Sequence, residues 1–510
     1  MERFVAGATS LLGREPDLAA FEIYCSSGEQ IVARLNYTGE IASRGVEEVK
    51  SIAADGFALR IVTRRDPHEI GSAAIAGDLS MDAVARALHQ ALSATVVDPY
   101  FPGLPGDCGV VKARARGGLI GASHLAMVRA GWDTLEGALH EFNRRIPPDL
   151  SHPGLIIGGD FTLTRERIAV GSSAAHGVKS DQDAYFTASI TAIVEAISAK
   201  ATATAVGRTS EDLQRAQAML GKDAVGRALD SRPPVYPPSG KYTVILGPQP
   251  LAEILSYMVI PSLTTGAFYR ADSAYQARFG SRVMDQRITL IDEPSGKGGA
   301  LRRSMTCEGI PASPTVLIRD GRLEGLLSNF YDSHRLMADE DRWRKLGKSA
   351  PRELNFAAAN GYRLGDEGYR RFDLAPHSVA SNVFMKVKEG IGQPELIEKV
   401  RNGILIGRVW YTYPINGQRA GDFTCTVSGD SYLIEDGRIT APVAPNCLRI
   451  NAHIDSVFGA IIAAGNRILP AFVWGQPEIF YLPALAVDQL NLVSLSIRPD
   501  EPTSTSKTFG

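Results

Sequence analysis

The pattern of apolar and polar positions divides this chain into long β-rich stretches separated by a few helices. Residues 21–75 contain β-branched and aromatic runs, which predict short strands with Gly56 and Gly71 at the turns between them. Residues 155–199 alternate over a greater distance and predict long antiparallel strands. We therefore expect a protein that is rich in sheet from its first hundred residues onward.

Helical periodicity, with apolar residues three and four positions apart, is limited to a few segments. Ser80 and Ser210 stand at the start of two of them and are expected to be caps, because a serine hydroxyl can accept a hydrogen bond from a free N–H of the first turn. The predicted helices cover residues 1–19, 81–92, 134–145, 210–229 and 250–275.

Two segments of the C-terminal half share one plan. Thr315–Leu327 and Ser431–Val443 each contain a β-rich run, a central Asp-Gly and a second run. Asp320-Gly321 and Asp436-Gly437 suit two-residue type I′ turns, because both central positions of that turn need a positive φ. Each segment therefore predicts a β-hairpin.

A proline-rich segment, Arg232–Gly240, is the best candidate for a linker, because its four prolines oppose regular structure. We predict an N-terminal domain of residues 1–231, a linker of residues 232–240, a C-terminal domain of residues 241–499 and a polar tail of residues 500–510. A strand over Tyr242–Leu246 opens the second domain. Residues 340–371 are charged and irregular, which predicts a solvated excursion.

The composition is that of an ordinary globular protein, with 44% hydrophobic and 22% charged residues. The formal net charge of −2 gives no general attraction to nucleic acid or to an anionic membrane. No run of about 20 apolar residues predicts a membrane span, and the first residues lack the ordered regions of a signal peptide. The five cysteines are scattered and never form a C-x-x-C pair, so we expect free, mostly buried thiols in a reducing cytoplasm.

Several segments of the C-terminal half follow one another in an order and spacing typical of a known family. They are Ser239–Leu246, Glu308–Ala312 with the hairpin after it, Glu395–Gly403, Gly421–Phe423 with Ser428-Gly429, the second hairpin, and Ala463–Asn466. With these segments the chain resembles the TldD/PmbA family, the "modulator of DNA gyrase" proteins. The resemblance implies an α+β fold, with an α/β N-terminal domain followed by a β-rich, barrel-like antiparallel C-terminal domain.

The resemblance also implies a heterodimer that encloses a cavity in which an unstructured peptide is hydrolysed. One partner, the TldD type, holds zinc on a His-Glu-x-x-x-His helix, with the glutamate as general base and a later cysteine as a further ligand. In this chain the corresponding positions are Ser256, Tyr257 and Pro261. Serine is a poor zinc ligand, proline has no donor atom, and tyrosine titrates far from neutral pH. Leu469–Pro477 also lacks the cysteine, so the chain resembles the PmbA (TldE) branch, which lacks the zinc motif.

This departure favours a non-catalytic subunit of a heterodimeric zinc metallopeptidase that cleaves unfolded or small peptides in an enclosed chamber. We expect no cofactor in this chain, zinc in a TldD-like paralogue as its partner, and an extended peptide as substrate. Neither nucleic acid nor membrane is expected as a partner. The sequence leaves open whether the pair serves general proteolysis, leader removal or antibiotic maturation.

One segment is a candidate for contact with the peptide. Gly421–Gly429 combines glycines, which allow close backbone approach, with small alternating residues, and an extended peptide can pair with a strand edge. The same glycines are equally well explained by turns and bulges. The candidate substrate-binding residues are Gly421, Asp422, Phe423, Ser428 and Gly429.

Two other functions stay open. The chain could be a metal-free enzyme with repurposed chemistry on a peptide-like metabolite, for which Tyr257 or Cys307 would supply the reactive group. It could also be a homodimer that binds peptides without cutting them. A nucleophilic pair of Cys307 and His334 is conceivable, but a buried thiol and a surface histidine are the favoured interpretation.

Overall fold

The computed structural model describes residues 1–39, 45–109, 118–146, 152–230 and 233–495. Its first part contains four helices and eight strands. The helices are α1 (Glu2–Leu12), α2 (Met81–Ser93), α3 (His124–Arg145) and α4 (Ser210–Leu229), and the strands are β1 (Leu18–Thr38), β2 (Gly45–Val46), β3 (Lys50–Thr63), β4 (Glu69–Ala76), β5 (Val96–Val97), β6 (Leu155–Ser172), β7 (Lys179–Val194) and β8 (Ala199–Gly207).

These strands form one antiparallel sheet in the order β5-β4-β3-β1-β6-β7-β8, with β2 paired to β1. The long strands predicted over residues 155–199 are confirmed. The short strands predicted over residues 21–75 are wrong, because β1 alone runs for 21 residues. Gly56 and Gly71 lie inside strands rather than at turns. At Gly71 a Cβ atom would lie 2.1 Å from the Ala91 carbonyl oxygen of α2, so this glycine allows a helix to approach.

The two faces of this sheet contact different parts of the protein. Residues of one parity on β1, such as Ile23 and Ile31, belong to the apolar layers beneath α1 and α2 and beneath α3 and α4. Residues of the other parity, such as Glu22 and Gln30, face the C-terminal half. Because side chains alternate along a strand, one sheet supplies both a core and a polar inner surface.

The second part of the chain is richer in strands and contains three sheets. A six-stranded sheet has the order β12-β11-β10-β15-β24-β23, a nine-stranded sheet has the order β17-β18-β21-β25-β9-β16-β19-β20 with β22 on β25, and β13 pairs with β14. The helices are α5 (Pro248–Ile254), α6 (Thr265–Arg270), α7 (Phe330–Ala338), α8 (Arg342–Leu346), α9 (Gln393–Val400) and α10 (Ile454–Phe458), and the strands are β9 (Gly240–Leu246), β10 (Ile288–Asp292), β11 (Thr315–Arg319), β12 (Arg322–Leu323), β13 (Gly361–Tyr362), β14 (His377–Ser378), β15 (Asn382–Val387), β16 (Gly403–Ile406), β17 (Arg408–Ile415), β18 (Asp422–Gly429), β19 (Tyr432–Glu435), β20 (Arg438–Pro442), β21 (Leu448–His453), β22 (Ile461–Ala464), β23 (Leu469–Phe472), β24 (Ile479–Leu482) and β25 (Leu485–Ser494).

The predicted α+β fold class, with a β-rich C-terminal half, is confirmed. Most strand pairs are antiparallel, but β15 pairs with β24 and β9 pairs with β16 in parallel. The proposed linker of residues 232–240 is described from Pro233 onward, where Val235 bridges Val443. Its role as a domain boundary stays a prediction. The predicted tail of residues 500–510 lies outside the described residues.

Several predicted helices are confirmed, with adjusted ends. Ser80 caps α2 by accepting from the Ala83 N–H, as predicted. The cap of α4 is Thr209 rather than Ser210, because the Thr209 hydroxyl and Asp212 form a reciprocal capping box. α1 is shorter than predicted, α3 begins ten residues earlier, at His124, and the helix predicted over residues 250–275 is broken into α5, a π turn, a 3₁₀ turn and α6.

Both predicted hairpins are confirmed. β11 and β12 are joined through Asp320-Gly321, and β19 and β20 through Asp436-Gly437. The φ angles are 49° and 77° at the first turn and 47° and 75° at the second. All four are positive, as a type I′ turn requires.

The charged segment at residues 340–371 is not a solvated excursion as a whole. The Arg370 side chain is completely buried, where its Nε donates to Glu166 Oε1 at 2.8 Å and its Nη1 to Asp181 Oδ2 at 3.1 Å. Arg303, from another basic cluster, is also buried, beside Tyr362. These arginines are inside because carboxylates on the polar face of the N-terminal sheet pair with them.

All five cysteines are free thiols, of which only Cys108 is exposed, as predicted. Among the described residues, no helix is both long and apolar enough to cross a membrane.

Candidate functional site

A cleft of about 600 Å³ lies between the polar face of the N-terminal sheet and the C-terminal half. Its C-terminal wall contains Tyr257 and the segment from Phe472 to Ile479, which connects β23 to β24. By the resemblance, Tyr257 is expected at the position of the general base and residues 469–477 at that of the late zinc ligand. The fold brings Tyr257 and the segment from Phe472 onward to one cavity.

The N-terminal wall of the cleft is built by strand register. Gln30 of β1 pairs with Thr164 of β6, and Val32 pairs with Thr162. Thr164 in turn pairs with Tyr185 of β7, which continues the row across the sheet. Directly paired residues point to the same face of a sheet, so these side chains form a flat wall of hydroxyl, amide and aliphatic groups.

The cleft ends where the segment around Tyr369 covers the sheet. A Cβ atom on Gly28 would lie 2.1 Å from Cδ2 of Tyr369, so a glycine is required where this ring lies against β1. Next to it, Gln30 Nε2 donates to the Glu367 carbonyl oxygen at 2.8 Å. These two contacts fix the boundary between the covered part of the sheet face and the open cleft.

The helix that carries the degenerate metal positions has an unusual backbone. After α5 it widens into a π turn, Leu255–Val259, in which the Ile260 N–H donates to Leu255 O at 2.8 Å. Pro261, which has no N–H, then starts a 3₁₀ turn. A π turn spans five residues and brings positions five apart close to one another along the helix. Ser256 and Pro261 have this spacing, which is also that of the two histidines in His-Glu-x-x-x-His.

The side chains at these positions are engaged in other interactions. Ser256 is buried and its hydroxyl donates to Oε1 of Glu478, which is also buried. Burial raises the pKa of Glu478, and the hydrogen bond from Ser256 opposes that rise only in part. Burial also raises the pKa of Tyr257, whose hydroxyl interacts with Gln476. Pro261 is exposed and makes no side-chain hydrogen bond.

These residues do not fit a zinc ion. A zinc site needs three or four nitrogen, sulfur or carboxylate ligands, whereas Ser256, Tyr257 and Pro261 supply none, and Glu478, the carboxylate in contact with Ser256, is already hydrogen-bonded to it. Within the described ranges, no three His, Cys, Asp or Glu side chains are grouped so that they could hold a metal ion.

The segment predicted to contact an extended peptide is not a strand edge. β18, which contains Asp422, Phe423, Ser428 and Gly429, lies between β17 and β21. Its main-chain groups are largely used by these neighbours, and Phe423 and Ser428 are buried. Gly421 has a φ of 75° and its missing side chain leaves room for the His453 ring. The glycines thus shape the backbone, and this strand does not line the cleft.

The conceivable pair of Cys307 and His334 is not assembled. Cys307 is completely buried, and burial raises the pKa of its thiol. His334 lies on α7, where its Nδ1 is 2.8 Å from the Phe330 carbonyl oxygen. A thiol kept protonated in an apolar environment is a poor nucleophile.

Two groups in this region had no signal in the sequence. Glu478 meets Ser256 across 222 residues of chain, so no local motif points to it. Glu253, one α-helical turn before Tyr257, is almost fully buried and accepts a hydrogen bond from Gln249 Nε2 at 3.1 Å. Burial raises its pKa to about 7. No motif in the sequence distinguishes Glu253.

Fold and site together define a class of protein: a two-part α+β chain with a cleft between the polar face of its N-terminal sheet and its β-rich C-terminal half. The family model "PmbA/TldA metallopeptidase C-terminal domain" matches residues 239–494. The chain belongs to the PmbA/TldD family.

Curated relatives carry metalloprotease names. A "Metalloprotease" of Methanothermobacter thermautotrophicus is 25% identical over 252 residues, covering 48% of each chain. A "Metalloprotease TldD homolog" of Haemophilus influenzae is 28% identical over 229 residues, covering 44% of this chain and 41% of the relative. The match therefore spans about half the length of these curated relatives or less.

The fold extends over the whole described chain. The crystal structure of TldE from Thermococcus kodakarensis superimposes with a TM-score of 0.74 and 16% sequence identity, covering 97% of this chain and 99% of that one. At this level of identity the likeness concerns the fold alone.

Proposed function

We propose that this chain is the non-catalytic, TldE-like subunit of a heterodimeric zinc metallopeptidase that acts on unfolded or small peptides. The observation that carries the proposal is the pairing of Ser256 with Glu478, beside Tyr257 and Pro261, at the positions where the family motif has its ligands and base. Membership of the family and the likeness to the TldE fold support it. The zinc would belong to a TldD-like partner, and both chains would act in the cytoplasm.

In this proposal the chain contributes a wall and not a reactive group. The cleft presents a sheet face on which Thr162 and Thr187 are partly exposed, and their hydroxyls can hydrogen-bond to a peptide main chain. Recognition of main-chain groups is largely independent of sequence, which suits an enzyme for unfolded peptides. The partner's zinc and glutamate would perform the hydrolysis.

The test is co-expression with a paralogue that carries an intact His-Glu-x-x-x-His helix. We expect one co-eluting species that cleaves unstructured peptides, whereas each chain alone is inactive. A Glu→Gln change in the partner's motif abolishes cleavage, and Tyr257→Phe in this chain leaves it within about twofold. A chain that associates with no such paralogue would contradict the proposal.

The same experiment distinguishes the metal-free enzyme. Turnover by the isolated chain in the presence of a chelator, lost in Ser256→Ala or Tyr257→Phe, would support that alternative. The hydrogen bond between Ser256 and the buried carboxyl of Glu478 is the feature that such an enzyme would use.

A further inference from the structure

The cleft is acidic. Among the described residues that line it, six carboxylates stand against two cations, Arg34 and Lys50. The carboxylates are those of Glu47, Glu48, Asp160, Asp366, Glu367 and Glu478. A cleft lined by one sign of charge with low-dielectric walls concentrates ligands of the opposite sign.

The carboxylates differ in whether they already have an ion-pair or hydrogen-bond partner. Glu478 is buried against Ser256, and Glu367 is paired with Arg371 at 3.0 Å. Glu48 and Asp366 are exposed, and in the described part of the chain neither has an ion-pair partner. These two side chains are therefore the ones that can pair with a cation that enters the cleft.

The same cleft contains a solvent-exposed tryptophan. Trp474 is 80% exposed, although indole is one of the larger apolar side chains. The Gln476 N–H donates to the Val473 carbonyl oxygen at 3.1 Å, and Gly475 has a φ of 75°. This is the geometry of a type II turn with Trp474 at its first corner, which keeps the indole away from the core. The face of an indole attracts ammonium and guanidinium groups.

These features exclude other ligands. A dedicated site for a divalent cation is not formed, because the described residues contain no group of three His, Cys, Asp or Glu side chains that could hold a metal ion. A nucleic acid would be repelled by the surplus of negative charge. A peptide with acidic side chains would be repelled for the same reason. A peptide with lysine or arginine satisfies both the carboxylates and the tryptophan.

We propose that the cleft selects extended peptide segments with basic side chains, which Trp474 receives on its indole face and Glu48 and Asp366 neutralise. This rests on the proposed function, because it names the substrate class that the chamber wall would favour. The threonines of the sheet face bind the main chain of the peptide, whereas the turn at residues 473–476 and the carboxylates recognise its basic side chain. Trp474 is thus a specificity-determining residue.

The test uses the isolated full-length chain and three acetylated, amidated peptides of equal length. They contain arginine, norleucine or glutamate at one central position in an otherwise identical Gly/Ser/Thr sequence. Binding is measured by calorimetry at low and at high salt. We expect the arginine peptide to bind at least tenfold more tightly than the norleucine peptide at low salt, and the difference to shrink at high salt.

Substitutions in the cleft test which residues determine the preference for the arginine peptide. Trp474→Leu should weaken the arginine peptide by about tenfold, in the range of a partly desolvated cation–π contact, and Trp474→Phe should restore part of it. Glu48→Gln combined with Asp366→Asn should remove most of the salt dependence. Trp410→Leu is the matched control, since Trp410 is also exposed but lies outside the cleft, beside Lys200. All four positions are at the surface, so an unchanged melting temperature shows that the variants are folded.

Two results would overturn the proposal: equal affinity for the arginine and norleucine peptides, or arginine binding that Trp474→Leu and the double carboxamide variant leave intact. Absence of binding to any of the three peptides would overturn it as well. None of these depends on a partner, so they are distinct from a failure to form the heterodimer. Conversely, a heterodimer can form and cleave peptides without any preference for basic residues.

Discussion

At the scale of single residues, the most unusual group near the degenerate helix is Glu253. It is 8% exposed, and its pKa is raised from 4.5 to about 7, chiefly because burial disfavours the charged form. The folded protein therefore holds a proton here that the unfolded chain releases at lower pH. Because the folded state binds more protons, its stability falls as the pH rises from about 4.5 to about 7.

Replacing Glu253 with glutamine should remove this pH dependence of the folding stability. Glutamine resembles the protonated acid, so Glu253→Gln should match the wild type near pH 4.5 and exceed it above pH 7, by up to about 3 kcal/mol at 1.36 kcal/mol per pKa unit. The measurement is the free energy of unfolding in urea at both pH values. Glu435→Gln, at an exposed position, is the control and should change neither value by more than about 0.5 kcal/mol. A variant that parallels the wild type at all pH values would contradict the assignment.

At the scale of elements, structures with local determinants were predictable. Two Asp-Gly turns and the Ser80 cap are decided by residues within a few positions, and both hairpins and α2 are found where the pattern places them. Some glycines were not interpretable from the sequence, because the packing contact that requires them is made by a residue far away in the chain. Gly131, inside α3, faces Val46, whose Cγ1 would lie 3.1 Å from an added Cβ. A residue that lowers helix propensity is used there for close packing.

The candidate site shows the same division. The changed ligand positions, Ser256, Tyr257 and Pro261, were visible in the sequence because the motif is local. The partner Glu478 was not, since its contact with Ser256 joins distant segments, and no motif in the sequence marks the π turn or the exposure of Trp474. The strand edge expected at residues 421–429 is not observed, because small residues and glycines do not reveal whether a strand is at an edge or inside a sheet.

The π turn leads to a prediction about metal binding. The π turn joins Leu255 and Ile260, which are five apart, and positions 256 and 261 are the next pair with that spacing. We therefore expect histidines at positions 256 and 261 to converge, with Glu478 already in contact with position 256. Two histidines and a glutamate form a known zinc ligand set. We expect the combined variant Ser256→His, Tyr257→Glu, Pro261→His to retain about one zinc per chain after dialysis, measured as metal content.

The control for this gain of zinc binding is the double variant Ser256→His, Tyr257→Glu. It lacks the second histidine and should retain no stoichiometric zinc. Circular dichroism establishes that both variants are folded. A folded triple variant without zinc would mean that the turn does not place the two positions together.

At the scale of the whole molecule, the two halves are joined through a buried ionic layer. On the N-terminal side it contains Glu166 and Asp181, and on the C-terminal side Arg303 and Arg370. Glu166 and Arg370 are separated by 204 residues, so their pairing had no signal in the sequence, and residues 340–371 looked like a solvated segment. Buried charges are tolerated only when they are paired, and this layer therefore fixes how the polar sheet face meets the C-terminal half.

Neighbouring arginines allow the layer to be tested with an internal control. Arg370 is completely buried, whereas the Arg371 side chain is 25% exposed and pairs with Asp373 and Glu367 at the surface. Arg370→Ala removes the closest cation from two buried carboxylates, leaving Glu166 with Arg303 at 3.8 Å and Asp181 with Ser304, which should cost about 3 kcal/mol of unfolding free energy. Arg371→Ala removes two partly exposed ion pairs and should cost about 1 kcal/mol or less.

A second substitution distinguishes a loss of stability caused by an uncompensated charge from one caused by lost packing. If the loss in Arg370→Ala is caused by the uncompensated charge of Glu166, adding Glu166→Gln should recover part of it, because a neutral amide is cheaper to bury than a carboxylate. If the loss comes from the missing side-chain volume alone, the second change should add to it. Recovery in the double variant, measured by urea unfolding, is the expected result. Equal losses in Arg370→Ala and Arg371→Ala would show that the two halves are held together by other contacts.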